Sequence, residues 1–300
     1  MSFNEAFTLS NDAKIPQVGF GTWLSKPHEV ETAVELAVKH GYRHLDFAHI
    51  YENQKEVGAA LKKVIPSVVN REDLFITSKL WNSSHQPHLV EEELDITLSD
   101  LGLDYLDLYF ELDLKTTLVD TWKAMIALPK NKVRAIGVSN FSVEHIEAII
   151  KATGVVPVVN QVELHPRLAQ DELIKYCASK NIHVTAYSPL GNNSRNEPLF
   201  TENEIIKRVA NRLNATPAQV LIAWAVQRGT SVLPKTVTPS RIIENFQQIT
   251  LSKEDVEEIG LLAKSPIRYN IPALVNKPRW DIDIFGDETE KTATHKINIQ

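Results

Sequence analysis

Three hundred residues, 43% hydrophobic and 23% charged, are enough for one large α/β barrel or two smaller domains. A formal charge of −6 with a sequence pI near 6.0 argues against nucleic acid or an anionic membrane as the main partner. Cys177 is the single cysteine, which excludes an intrachain disulfide and thiolate metal clusters, and no window offers the roughly twenty uncharged apolar residues of a membrane span.

The start, MSFNEAFTLSNDAK, is polar and acidic where a signal peptide needs a basic and then an apolar run, so a cytoplasmic protein is expected. Phe7–Leu9 and Lys14–Ile15 flank a polar turn, Ser10 to Ala13, and read as a hairpin. Short apolar strands follow at Gln17–Phe20, His44–Asp46, Leu74–Ser78, Asp107–Glu111, Arg134–Val138, Val158–Val162, His183–Ala186 and Ser231–Leu233. Helical periodicity separates them, at Glu29–Lys39, Glu56–Ile65, Leu89–Asp100, Leu118–Ala127, Val143–Lys151, Glu172–Ser179, Glu204–Leu213 and Pro217–Gln227.

Eight such strands alternating with helices predict a (β/α)₈ barrel in one domain over residues 1–300. A doubly wound sheet would place G-x-G-x-x-G after its first strand, and Gly19-Phe20-Gly21-Thr22-Trp23 does not fit. Residues 1–16 form the hairpin. Ser240–Phe246 and Lys253–Ala263 read as closing helices, with Ser240 as an N-cap, and residues 265–300 as a tail across the barrel, loosely ordered from Asp287 onward.

Barrel chemistry collects at the C-terminal ends of the strands, where Asp46, Tyr51 and Lys79 would meet although distant in sequence. A tyrosine, with a pKa near ~10, is a poor acid or base at neutral pH, but an ammonium beside it favours the phenolate and a carboxylate fixes the ammonium. The bland alternatives are a packed phenol, a turn-capping carboxylate and a strand-end lysine reaching for solvent. The histidines are scattered, and His85-x-x-His88 lacks the spacing and acidic companion of a zinc hydrolase; no metal is expected.

The motifs GFGTW (Gly19–Trp23), GYRHLDFAHIYENQKEVG (Gly41–Gly58), ITSKLW (Ile76–Trp81), LGLDYLDLY (Leu101–Tyr109), KVRAIGVSNF (Lys132–Phe141), VVNQVELHP (Val158–Pro166), AYSPLG (Ala186–Gly191) and LPKTVTPSRIIENF (Leu233–Phe246) together resemble an aldo-keto reductase. The resemblance implies a barrel that binds NADP(H) across its mouth and reduces small carbonyl compounds, as a monomer or weak dimer. It makes Tyr51 the proton donor and Lys79 with Asp46 its tuning pair. Ser139, Asn140 and Gln161 match the carboxamide-binding positions, and Tyr187 the aromatic stacked on the nicotinamide. Ser188, Leu190 and Gly191 match the pyrophosphate loop; Lys235, Thr236 and Arg241 the clamp on the 2′-phosphate; Glu244 and Asn245 the adenine contacts. Gly21, Thr22, Trp23, Val237 and Thr238 complete the cofactor-facing set, with Trp23 and Trp81 in the substrate pocket. Two cations and a hydroxyl suit a phosphate monoester, which favours NADP(H) over NAD(H).

The fourth strand departs from the pattern. Relatives continue after Tyr109 to a His-Trp-Pro and a long loop, whereas this chain reads Phe110-Glu111-Leu112-Asp113 and enters a helix by Leu118. In register, Leu112 stands in the pocket where the histidine is expected and cannot make its hydrogen bond, a loss that can slow turnover ~10²–10³-fold. A one-residue shift would bring in Glu111 instead, resembling the double-bond reductases of the family. Three readings follow: a carbonyl reductase with weakened activity, an NADPH-binding protein with little redox activity, and a reductase of an activated C=C bond.

Overall fold

A computed structural model describes residues 5–111, 116–192, 198–272 and 280–299. Its centre is an eight-stranded parallel sheet of β3 (Gly19–Gly21), β4 (His44–Asp46), β5 (Phe75–Lys79), β6 (Leu108–Glu111), β7 (Ile136–Ser139), β8 (Val159–Glu163), β9 (His183–Tyr187) and β10 (Ser231–Leu233), each paired with the next. Parallel bridges Val18–Val232 and Gly21–Lys235 bring β3 back to β10, so the sheet curls into a nearly closed barrel, as the alternation predicted. The helices α1 (Val30–Lys39), α2 (Gln54–Val64), α3 (Val90–Leu101), α4 (Leu118–Ala127), α5 (Val143–Thr153), α6 (Asp171–Ser179), α7 (Glu204–Leu213) and α8 (Pro217–Gln227) surround it. None is long and apolar enough to cross a membrane.

Local signals explain the helix boundaries. Ser142 and Thr216 open α5 and α8 with capping boxes, and Pro217 sits at the first turn of α8, where its missing N–H costs nothing. Gly102 and Gly154 end α3 and α5 in the left-handed conformation. Gly58 serves another purpose, because a Cβ there would overlap the Asp100 carbonyl at the end of α3.

The hairpin of β1 (Ala6–Thr8) and β2 (Lys14–Pro16) plugs one end of the barrel. Leu9 and Ile15 pack inside with Phe75, Leu108, Phe110, Ala135 and Val159, leaving the opposite end as the mouth. Above this plug, Ser231 bonds His183 (3.0 Å) and Thr185 (2.8 Å). Burial pushes the imidazoles of His44 and His183 down to about 4 and about 3, so both are neutral at physiological pH.

Three expectations are corrected. Helix α9 (Pro239–Phe246) starts one residue earlier than expected, so Thr238 occupies the N-cap position and Ser240 lies within the first turn. The segment after Asp287 is structured: Glu290 is buried and accepts the backbone N–H of Ile284 (3.2 Å), Phe285 (3.0 Å) and Asp287 (3.2 Å). Strands β11 (Ile282–Asp283) and β12 (His295–Lys296) pair in parallel, and the Asn298 carbonyl accepts the N–H of Leu118 at the start of α4 (2.9 Å). The third correction concerns the last long helix, which runs as α10 (Lys253–Gly260) and tightens into a 3₁₀ turn at Leu261–Lys264. Capping and burial by an acid cannot be told from surface charge in a sequence.

Gly58→Ala is expected to lower stability by about 1–3 kcal/mol, since the clash is with backbone and cannot be relieved by a side-chain rotation. A thermal melt indistinguishable from that of the parent protein would show that α2 and α3 are not held as closely as described.

Candidate functional site

Asp46 ends β4 at the barrel mouth, and its carboxylate takes three donors. Oδ2 accepts from Lys79 Nζ (2.6 Å), and Oδ1 accepts from Thr77 Oγ1 (2.7 Å) and Gln161 Nε2 (2.8 Å). Thr77 and Lys79 are two apart on β5, so strand alternation presents both side chains to the same face. Gln161 comes from β8, across the mouth. The side chains of Asp46 and Lys79 are only 5% and 10% exposed, which makes this a buried ion pair at charge-assisted distance.

Lys79 spends a second N–H on the Phe47 carbonyl (2.8 Å), and its Nζ lies 5.2 Å from the centre of the Tyr51 ring. Sequence reasoning expected this cation to press the phenol toward ionisation. The environment does the opposite: burial first, and the Asp46 charge second, raise the Tyr51 pKa well above 10.0. Desolvation likewise pulls the Lys79 pKa down against the attraction of Asp46. Tyr51 is therefore a protonated phenol at physiological pH, the form that can donate.

Ser139, Asn140, Gln161 and Tyr187 are brought together beside this pair. Ser139 Oγ donates to the Gln161 carbonyl (2.9 Å), the Asn140 N–H donates to the same oxygen (3.0 Å), and Tyr187 Oη donates to Asn140 Oδ1 (2.8 Å). Asn140 has φ +62°, a left-handed conformation that asparagine tolerates better than most residues. Thr22 ties β3 to this centre through its hydroxyl on the Asp46 carbonyl (3.0 Å), and Asn53 holds Thr22 in turn (3.2 Å). Ser188, Leu190 and Gly191 follow β9, with Gly191 N–H on the Ser188 carbonyl (3.0 Å).

On the β10 side, Gly21 N–H bonds the Pro234 carbonyl (3.1 Å), and Lys235 Nζ reaches the Leu24 carbonyl (3.1 Å) beside Trp23. Thr236 Oγ1 accepts from Thr238 N–H (3.2 Å), turning Val237 through the loop into α9. Arg241 is exposed, and Glu244 and Asn245 lie one turn further along. Neither Lys235 nor Arg241 forms an ion pair among the described residues.

Trp81 meets an aromatic that sequence reasoning missed: Trp280 of the tail, with ring centres 5.6 Å apart. The tail was expected to cross the barrel; what the sequence did not single out is Trp280 as the residue that meets Trp81. A cleft of about 640 Å³ opens beside Asn140, walled in part by Gln170, Arg268 and Phe285, with the Arg268 guanidinium 3.9 Å above the Phe285 ring. Leu112 lies outside the described residues. In the strand before it, Phe110 pairs with Lys79 with its ring centre 5.9 Å from Nζ, and Glu111 is buried at the strand's end.

Residues 17–263 match the model of the Aldo/keto reductase family. The chain is 48% identical over 331 aligned positions to D/L-glyceraldehyde reductase of Hypocrea jecorina, covering 100% of both chains. It is 42% identical over 297 positions to aldo-keto reductase family 1 member A1 of Sus scrofa, covering 89% of this chain and 91% of that one. An aldose reductase structure from Schistosoma japonicum superimposes with a TM-score of 0.83 at 36% identity, over 91% of this chain and 96% of that one.

Removing one member of the buried pair should cost more than removing both. Asp46→Leu alone strands a cation and is expected to destabilise by about 3–5 kcal/mol, whereas Asp46→Leu with Lys79→Met should recover most of that. Chemical denaturation of both variants checks this; a double variant less stable than the single would contradict it.

Proposed function

The chain belongs to the aldo/keto reductase family, and from that premise we propose that it reduces aldehydes or ketones to alcohols with NADPH, Tyr51 delivering the proton. The observation that carries this reading is the buried Lys79–Asp46 pair beside a phenol kept protonated by its surroundings. NADPH, when bound, supplies the hydride.

The residues present suit that cofactor. Lys235 and Thr236 precede α9 and Arg241 lies in its first turn, two cations without ion-pair partners among the described residues and a hydroxyl near a helix N-terminus, a donor set matched to a phosphate monoester. Ser139, Asn140 and Gln161 supply the amide and hydroxyl groups that recognise a carboxamide, and the half-buried Tyr187 offers a ring face. Glycine at 191 has φ +72°, and side chains larger than hydrogen would crowd Phe200 at 3.0 Å.

In the reaction, Tyr51 Oη–H donates its proton to the carbonyl oxygen as that oxygen gains charge, and solvent restores the proton afterwards. The Lys79 ammonium offsets the charge left on the phenolate; the Asp46 carboxylate keeps that ammonium in place. Thr77 and Gln161 keep the carboxylate from turning away. Trp23, Trp81 and Trp280 give the substrate an aromatic wall, and the relative named for glyceraldehyde makes small hydroxyaldehydes the first substrates to try.

NADPH consumption is expected with part of a panel of small aldehydes and ketones. Tyr51→Phe should lower kcat by ~10²–10⁴-fold with little change in KM for NADPH. Arg241→Ala should raise KM for NADPH by roughly tenfold and leave KM for NADH unchanged. Equal turnover by the parent protein and Tyr51→Phe across the panel would overturn the role given to the phenol.

A further inference from the structure

We propose that Asn270, from the segment after α10, is a positioning residue that latches the cofactor loop Ser188–Asn192 and thereby sets how fast the dinucleotide leaves. The inference rests on the reading that this loop runs along the pyrophosphate. It adds a residue from outside the matched family region 17–263, one that no motif in the chain points to.

The latch is made by one side chain with two bonds. Asn270 Nδ2 donates to Ser188 Oγ (3.1 Å), and its Oδ1 accepts from Asn192 Nδ2 (3.0 Å), so the same amide grips the loop at both ends. Between those ends the backbone turns sharply, with φ +49° at Ser188 and +72° at Gly191. A left-handed serine is a conformation that persists only where its surroundings hold it, and the bond from Asn270 to its hydroxyl is such a hold. Tyr269 supports the turn from beneath, since a Cβ on Gly191 would stand 3.5 Å from its ring.

Asn270 is itself anchored from the barrel. The carboxylate of Glu163, fully buried at the end of β8, accepts the backbone N–H of Tyr269 at Oε1 (2.7 Å) and of Asn270 at Oε2 (2.8 Å). His165 Nε2 completes the set on Oε1 (3.0 Å). Arg167 adds two more ties, its carbonyl accepting from Ile267 N–H (2.9 Å) and its Nε donating to the Ser265 carbonyl (2.7 Å). The segment is thus fastened to the barrel, while the loop is fastened to the segment by the Asn270 amide. Opening the loop to release a bound dinucleotide breaks these two side-chain bonds and leaves the barrel untouched, so they act on release more than on carbonyl binding.

The test measures NADPH affinity by fluorescence quenching and NADPH release by stopped flow for the full chain, Asn270→Ala, Asn192→Ala and the double variant. Asn270→Ala should raise Kd roughly tenfold, mainly through faster release, with carbonyl KM within about twofold of the parent value. Asn192→Ala should have a smaller effect, and the double variant should fall short of the product of the two, because both substitutions break the same bond. A merely structural role would lower the melting temperature of the cofactor-free protein and leave Kd and release unchanged; that result overturns the latch. NADPH failing to quench the parent protein would overturn the cofactor reading and the latch with it, whereas normal quenching with unchanged release in Asn270→Ala overturns the latch alone.

Discussion

The Asp46 carboxylate sits where the fold has removed most of the water, and a charge in that position is tolerable only if donors replace what water supplied. Three do so: the Lys79 ammonium, the Thr77 hydroxyl and the Gln161 amide. Because those donors come from β5 and from β8, one side chain links strands on opposite sides of the mouth. The same three bonds aim the ammonium at the Tyr51 ring and fix the orientation of the Gln161 amide. The positions of the phenol, the ammonium and the Gln161 amide are therefore not independent; each is set by where the carboxylate points.

A second buried acid works in the same way further round the barrel. Burial pushes the Glu163 pKa up, but the ring N–H of His165 and two backbone N–H groups from the segment after α10 donate to its carboxylate, and these bonds hold the pKa below the usual value. Desolvation keeps His165 neutral, so the pair is a carboxylate accepting from an imidazole. A folded pKa below the unfolded one means that this anchor stabilises the protein above the ordinary glutamate range and loosens as pH falls through the folded value. Glu290 repeats the device in the tail, with three backbone donors. Three buried carboxylates thus organise the mouth, the segment that crosses it and the C-terminal turn.

The barrel was legible in the sequence because apolar strands and amphipathic helices alternate with the two periods that physics assigns them. Asp46, Tyr51 and Lys79 were legible because strand ends in a barrel converge whatever their separation in sequence. What could not be read was environment. The phenol of Tyr51 beside a cation suggested a lowered pKa, yet desolvation and the Asp46 charge outweigh Lys79, whose charge is already spent on its partner. Glu163, Glu290, Asn270 and Trp280 look like surface residues in the sequence, and only the folded tail brings them to backbone N–H groups, to the loop after β9 and to Trp81. The short link after β6 was visible by counting and the tail's path across the barrel was expected, but which tail residue would meet Trp81 was not.

The central claim is that burial and the Asp46 charge keep Tyr51 a protonated phenol that donates to the carbonyl oxygen. The pH dependence of kcat/KM for NADPH-driven reduction, measured for the parent protein and Tyr51→Phe, tests it most directly. The account predicts a plateau from about pH 6 to about pH 9, with a loss at higher pH that Tyr51→Phe does not show. An apparent pKa near about 7 that disappears in Tyr51→Phe would contradict it.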